Sequence, residues 1–396
     1  MKCITACLVS AVMFAAAASS AIARDDEAAY LPEAVAEAWG RYLAAREAGD
    51  SQAAGDAAME AHRAAESEGV DTETRAILAD TAGQFAFIRG QFPEARAVLG
   101  LAASLYGEMG ESQTNSQVRM LALIAVTHFN EENSRGTLSG VDQVLAAAGP
   151  PGANPDRDKD IVSALMLRAR THWRDGSLSQ AGSASLEALD VMEPYSIENF
   201  TSSGLMAFYA GVESALRRRH SASAWWLAVA DHLFREQDQG GHLMTVTDIW
   251  SRYARSRLTA GERRELISRL ADAGFISAPA QEAAETELAE AEQEEVREAA
   301  APDPNNRPAR PINRRAPDYP PQAAAAGVDG VALVTFTVGA NGRVRDAEVV
   351  FSAPHPVFGE SALRAVRTWR YEPRLVDGVP TDHEGVQTTL DFRMAD

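Results

Sequence analysis

Histidine, cysteine and carboxylate side chains carry most acid–base, nucleophilic and metal chemistry, and spacing here gathers none of them into a working set. The eight histidines, His62, His128, His172, His220, His232, His242, His355 and His383, are scattered along the chain. No HExxH helix, Gly-x-Ser-x-Gly elbow or phosphate-binding glycine loop accompanies them. Single histidines such as His128 and His172 read as packing residues of helices. Glutamates cluster only between Gln281 and Glu298, in a segment with no apolar stripe to bury them and shift their pKa. No catalytic residue, metal or cofactor is expected. The chemistry left to the chain is that of its backbone. In the last run, Val386, Thr388, Leu390 and Phe392 alternate with Gln387, Thr389, Asp391 and Arg393, the period of a strand with two unlike faces. At the edge of a small sheet such a strand offers unpaired N–H and C=O groups. An extended peptide of another protein, or a second copy of the chain, can pair with them.

The elements that position this strand follow from composition and periodicity. At 396 residues the chain is long enough for two or three domains, and 46% hydrophobic with 23% charged residues is a globular balance. A formal charge of −19 argues against nucleic acid as a partner, since that binding neutralises phosphates. Both cysteines, Cys3 and Cys7, fall in the first ten residues. There Lys2, an apolar run and the small-residue end Ala21-Ile22-Ala23 form a secretory signal with cleavage before Arg24. Cut there, the mature chain has no cysteine, and the protein is exported. Uncut, Ile4 to Ala23 is long enough to anchor it in the inner membrane.

Residues 24–277 have helical periodicity and abundant Ala and Leu. Gly83, Gly90, Phe92, Ala95 and Ala102 have the offsets of a helix–turn–helix. In it Gly90 ends the first helix, Phe92 wedges between the two, and small side chains allow close approach. Gly176, Ala181 and Ala188 repeat the frame, and a weaker copy surrounds Gly49. These spacings resemble the tetratricopeptide repeat, which implies a solenoid whose concave face holds another protein. A different Ala-rich helical arrangement is the alternative. Residues 278–316 follow as a spacer, an acidic helix and then a Pro/Arg-rich linker whose prolines favour extended chain.

From residue 317 to 396 the period changes to that of strands. Val331–Val338, the turn at Asn341-Gly342 and Val344–Phe351 form a hairpin. Phe358, Ala362, Val366 and Trp369 then mark one helical stripe, and Tyr371 opens an extended piece before Pro373. The fold class is therefore α+β multidomain: an N-terminal all-α solenoid, a linker and a small β-β-α-β domain. Its spaced residues Pro317, Tyr319-Pro320, Gly327, Gly330-Val331, Phe336–Val338, Gly342, Val344, Ser352, Phe358, Ala362-Leu363, Trp369, Tyr371, Pro373, Gly378 and Pro380 resemble the C-terminal domain of TonB-type energy transducers. The resemblance implies a periplasmic domain of a Gram-negative bacterium. It would pair by strand addition with a segment of an outer-membrane receptor, in support of transport. The alternative is a soluble periplasmic scaffold that uses the domain for binding alone.

Overall fold

The computed structural model describes residues 31–393 except 153, 195–201, 237–241, 301–304, 326–329 and 354–355. The export signal read at 1–23, and Gly327, lie outside the described residues. The chain divides into two units, residues 1–171 with 187–201, and residues 172–186 with 202–396.

The first unit is built from helices that run in antiparallel pairs, each packed on its neighbours in sequence. They are α1 (Glu33–Glu47) with α2 (Ser51–Glu68), α3 (Thr72–Ile88) with α4 (Phe92–Glu108), and α5 (Thr114–Asn130) with α6 (Ser134–Ala148). Helix α7 (Pro155–Arg174) follows, and α8 (Leu178–Met192) is divided between the units. Asp50, Asp71 and Asn133 cap α2, α3 and α6 by accepting backbone N–H bonds in the first turn. Small residues bring the helices together. Ala95 and Ala102 are fully buried, and a Cβ on Gly83 would stand 2.7 Å from Leu99 Cδ2 and 3.1 Å from its backbone N. Phe92 is half-buried at the start of α4, with its ring 6.1 Å from that of Phe87.

One turn joins the helices of each pair. Gly49, Gly90, Glu132, Gly176 and Arg218, spaced 41 to 44 residues apart, all take left-handed φ between 57° and 77°. In each case the next residue's N–H donates to a carbonyl five residues back, as from Gln91 to Ala86 at 2.9 Å and from Asn133 to His128 at 2.9 Å. This is the Schellman helix ending, for which glycine is the residue of least strain. The sequence frame is visible at Gly49, Gly90 and Gly176. It is hidden at Glu132 and Arg218, where a side chain occupies the glycine position, so the pairs that look irregular in sequence share the same turn.

The second unit contains α9 (Ser203–Leu216), α10 (His220–Glu236), α11 (His242–Arg255), α12 (Ala260–Asp272) and the acidic α13 (Ala278–Ala300). Helix α9 is buried along its length except at the half-buried Leu205. Ala181 and Ala188 of α8 are fully buried, Ala181 with Gly182 in the part of α8 belonging to this unit. A Cβ on Gly182 would run into the side chain of Glu213 on α9. Glu213 is itself 2% exposed and is held by Arg217 and Arg219, so two arginines neutralise a buried carboxylate. Trp225 is half-buried beneath the Arg269 guanidinium, 4.5 Å from its ring centre.

The C-terminal part of this unit is a three-stranded antiparallel sheet. Strand β2 (Gly330–Val338) is central, flanked by β3 (Val344–Ala353) and β7 (His383–Phe392). Helix α15 (Pro356–Val366) packs on β2 and β3 over a core that includes Phe336, Phe358, Trp369, Tyr371, Leu390 and Phe392. The short α14 (Pro321–Ala325) precedes the sheet, and the hairpin of β5 (Arg374–Val376) and β6 (Val379–Thr381) turns at Asp377-Gly378, both at left-handed φ. Three details differ from the sequence expectation. Helix α15 ends at Val366, so Trp369 packs from the segment after it. In the β2–β3 turn only Gly342 has positive φ, while Asn341 instead accepts the Arg343 N–H at 3.0 Å. Third, the Pro/Arg-rich residues read as linker are ordered against the domain. Strand β1 (Arg310–Asn313) pairs with β4 (Arg370–Glu372), Arg307 exchanges backbone bonds with Leu375, and Trp369 Nε1 donates to the Arg315 carbonyl at 2.8 Å. Prolines tolerate this place because a two-stranded edge ladder leaves their missing N–H unneeded.

Candidate partner-binding edge

Strand β7 is held on one side by β2, with Val386 opposite Phe336, Thr388 opposite Val334, Leu390 opposite Ala332 and Phe392 opposite Gly330. This register turns Val386, Thr388, Leu390 and Phe392 toward the core, where Leu390 and Phe392 are buried. It leaves Gln387, Thr389 and Asp391 on the opposite face, beside Thr335, Leu333 and Val331. Among the described residues β7 is the last strand in the order β3-β2-β7, so alternate backbone groups along it point away from the sheet.

The residues that fix this strand are the spaced ones of the sequence motif. Tyr319 sets its ring edge-on to Phe358 and Phe392, at 6.2 and 6.0 Å, and Pro320 is buried beside it. Gly330 is required because the Phe358 ring fills the space of a Cβ. Gly342 is required twice over, by its φ of 73° and because a Cβ would strike the Tyr371 carbonyl oxygen. Tyr371 donates its backbone N–H to Gly342 at 2.9 Å, and Pro373 lies against the same turn. Trp369 meets Phe336 edge-on at 6.1 Å. Glu372 pairs with Arg307.

Residues outside the motif complete the surroundings of β7, and sequence reasoning missed them. Tyr253 of α11 donates from Oη to Asp391 at 3.3 Å, a contact across 138 positions of chain. Burial, and then the charge of Asp391, hold the Tyr253 hydroxyl above its ordinary pKa, so it remains a donor. His220 stands edge-on to Tyr253 at 5.9 Å, and burial followed by the Arg257 charge lowers its pKa. A cleft of about 370 Å³ lies between α11 and the strands. Its lining comprises Trp250, Arg252, Tyr253, Ser256 and Arg257 on one side, with Arg314, Val331, Leu333, Gln387, Thr388 and Thr389 on the other. No local signal marks these positions, because neither helical nor strand period reports which distant element packs against which. Arg393 follows the strand directly, at half-burial. Among the described residues no three His, Cys, Asp or Glu side chains are grouped to hold a metal ion.

Residues 315–394 match the family model of the Gram-negative bacterial TonB protein C-terminal. The chain is 35% identical over 74 residues to the TonB protein of Pseudomonas aeruginosa, covering 19% of this chain and 22% of that one. It is 36% identical over 64 residues to the TonB protein of Escherichia coli, covering 16% of this chain and 27% of the relative. The chain thus spans about a quarter of the length of these relatives. The solution structure of the Pseudomonas aeruginosa TonB C-terminal domain is 29% identical, covers 24% of this chain and 93% of its own, with a TM-score of 0.21. The TonB-like domain carries every described motif residue named above, with β1 added to it from the segment just upstream. The cleft's α11 wall, by contrast, lies outside the matched residues. Among the described residues no helix is long and apolar enough to cross a membrane.

Proposed function

We propose that this chain is an envelope protein of a Gram-negative bacterium that supports outer-membrane transport through its TonB-like domain, as a binding protein and not a catalyst. The domain adds an extended segment of a partner to β7, through the backbone of Val386–Arg393, while the helical pairs hold a second protein. The observation that carries this reading is the position of β7 at the end of the sheet in a domain matching the TonB C-terminal model. Backbone pairing supplies affinity, and alternate side chains supply selectivity.

Proline tests the edge directly. Along an antiparallel strand, successive N–H groups point alternately to the neighbour and to the open edge. Of Thr388→Pro and Thr389→Pro, therefore, one breaks the ladder to β2 and melts the domain, and the other removes an outward donor alone. The variant that keeps its melting temperature is expected to lose capture of envelope proteins that the wild type retains on a column. Undiminished capture by that variant would remove β7 from the interaction.

A further inference from the structure

The cleft beside β7 has a charge opposite to that of the molecule. The chain carries 56 acidic against 37 basic residues, yet the eleven residues that line the cleft include Arg252, Arg257 and Arg314 and no Asp or Glu. Arg252 is paired with Asp248 on its own helix. Arg257 stacks on the Tyr253 ring at 5.3 Å, and Arg314 donates from Nε to Tyr371 Oη at 3.1 Å while lying over the rings of Trp369 and Tyr371. These contacts hold two guanidinium groups in place, and among the described residues neither is ion-paired with a carboxylate, although Asp391 accepts from Tyr253 beside Arg257. A fixed guanidinium presents several N–H donors in a fork that matches a carboxylate. Trp250, Val331 and Leu333 supply apolar surface between the charges, and Ser256, Gln387, Thr388 and Thr389 supply hydroxyl and amide groups. Gln387 and Thr389 face away from the core and Thr388 toward it, so the cleft reaches β7 from both sides.

We infer that the segment added to β7 is an extended acidic peptide of a partner protein, seated between β7 and α11 with its carboxylates on Arg257, Arg252 and Arg314. The inference rests on the strand-addition reading. It adds to that reading a wall of Arg252 and Arg257, from a helix outside the residues that match the TonB model. Alternate side chains of an added strand face the same wall, so acidic residues at positions i and i+2 meet the arginines together. Nucleic acid is disfavoured by the chain's formal charge of −19.

The test uses the full chain and three fluorescent eight-residue peptides of Thr and Val, with Asp, Asn or Lys at two alternate positions, followed by anisotropy. The Asp peptide is expected to bind roughly five- to tenfold more tightly than the Asn peptide at low salt, the sum of two partly exposed ion pairs. The Lys peptide binds most weakly. At 0.5 M NaCl the advantage falls below about twofold by screening. Arg257→Glu is expected to reverse the order of Asp and Lys peptides, an outcome that misfolding cannot produce. Equal binding of Asp and Asn peptides, or a preference unmoved by Arg257→Glu, overturns the acidic specificity and leaves strand addition standing. Binding of no peptide at all, or a full preference in the fold-preserving proline variant, overturns both.

Discussion

Asp160 shows what burial does to a single carboxylate in this fold. Removal from water, only partly offset by the Arg119 charge and reinforced by Asp156, pushes its pKa up to about 6. Asp80 is more deeply buried and its pKa is also raised, burial outweighing Arg119 and the bonds it accepts from Gln84 and from Tyr106 Oη at 3.2 Å. A carboxyl group with a folded pKa above its unfolded one binds more protons when folded. Its contribution is present below the unfolded pKa and is lost as pH rises through the folded one. Asp160→Asn, neutral at every pH, should therefore raise the melting temperature at pH 7.5 and leave it unchanged near pH 3.5. Parallel melting curves at both pH values would remove the carboxylate from the stability balance. Such effects are not legible in sequence, where Asp160 is one acid among many beside Asp156, Asp158 and Lys159.

At the level of elements, the informative comparison is between Gly90 and Glu132. Both end a helix at left-handed φ, but only the glycine does so without a Cβ clash. Gly90→Ala is expected to destabilise the first unit by about 1 kcal/mol, while Glu132→Gly should cost nothing or stabilise it, as read from thermal melts. A similar loss in both variants would mean that the turns are not equivalent. Gly342→Ala should do more harm, since strained φ adds to collision with the Tyr371 carbonyl. Loss of the cooperative melt of the TonB-like domain is the expected result, with the first unit still folded. The helix pairs around Gly83 and Gly176 could be read because their small residues and turn glycines lie within a few positions of one another. The pairs around Glu132 and Arg218 could not, because the shared feature is a backbone conformation that their residue types conceal. Faces of β7 were legible for the same local reason, since a strand's period is two and Val386, Leu390 and Phe392 fall on one face of it.

For the whole molecule, the exported mature chain is expected to begin at Arg24 and to be recovered from the periplasm on fractionation, with N-terminal sequencing giving its first residues. Recovery with the inner membrane and an intact N-terminus would instead make the segment Ile4–Ala23 an anchor and favour direct energy coupling. Local sequence determined what depends on neighbours a few residues apart: where helices turn, which strand faces are apolar, and the spaced motif of the TonB-like domain. The tertiary structure alone decided what depends on distant neighbours. It placed β7 at the end of the sheet, drew β1 out of a proline-rich stretch onto β4, and set Tyr253 against Asp391. The reason is physical. Hydrogen-bond period and side-chain direction repeat along a chain and leave a pattern in it, whereas pairing of remote surfaces depends on shape and charge that no short stretch contains. The arginines that face β7 belong to that second class, and they define the partner expected there.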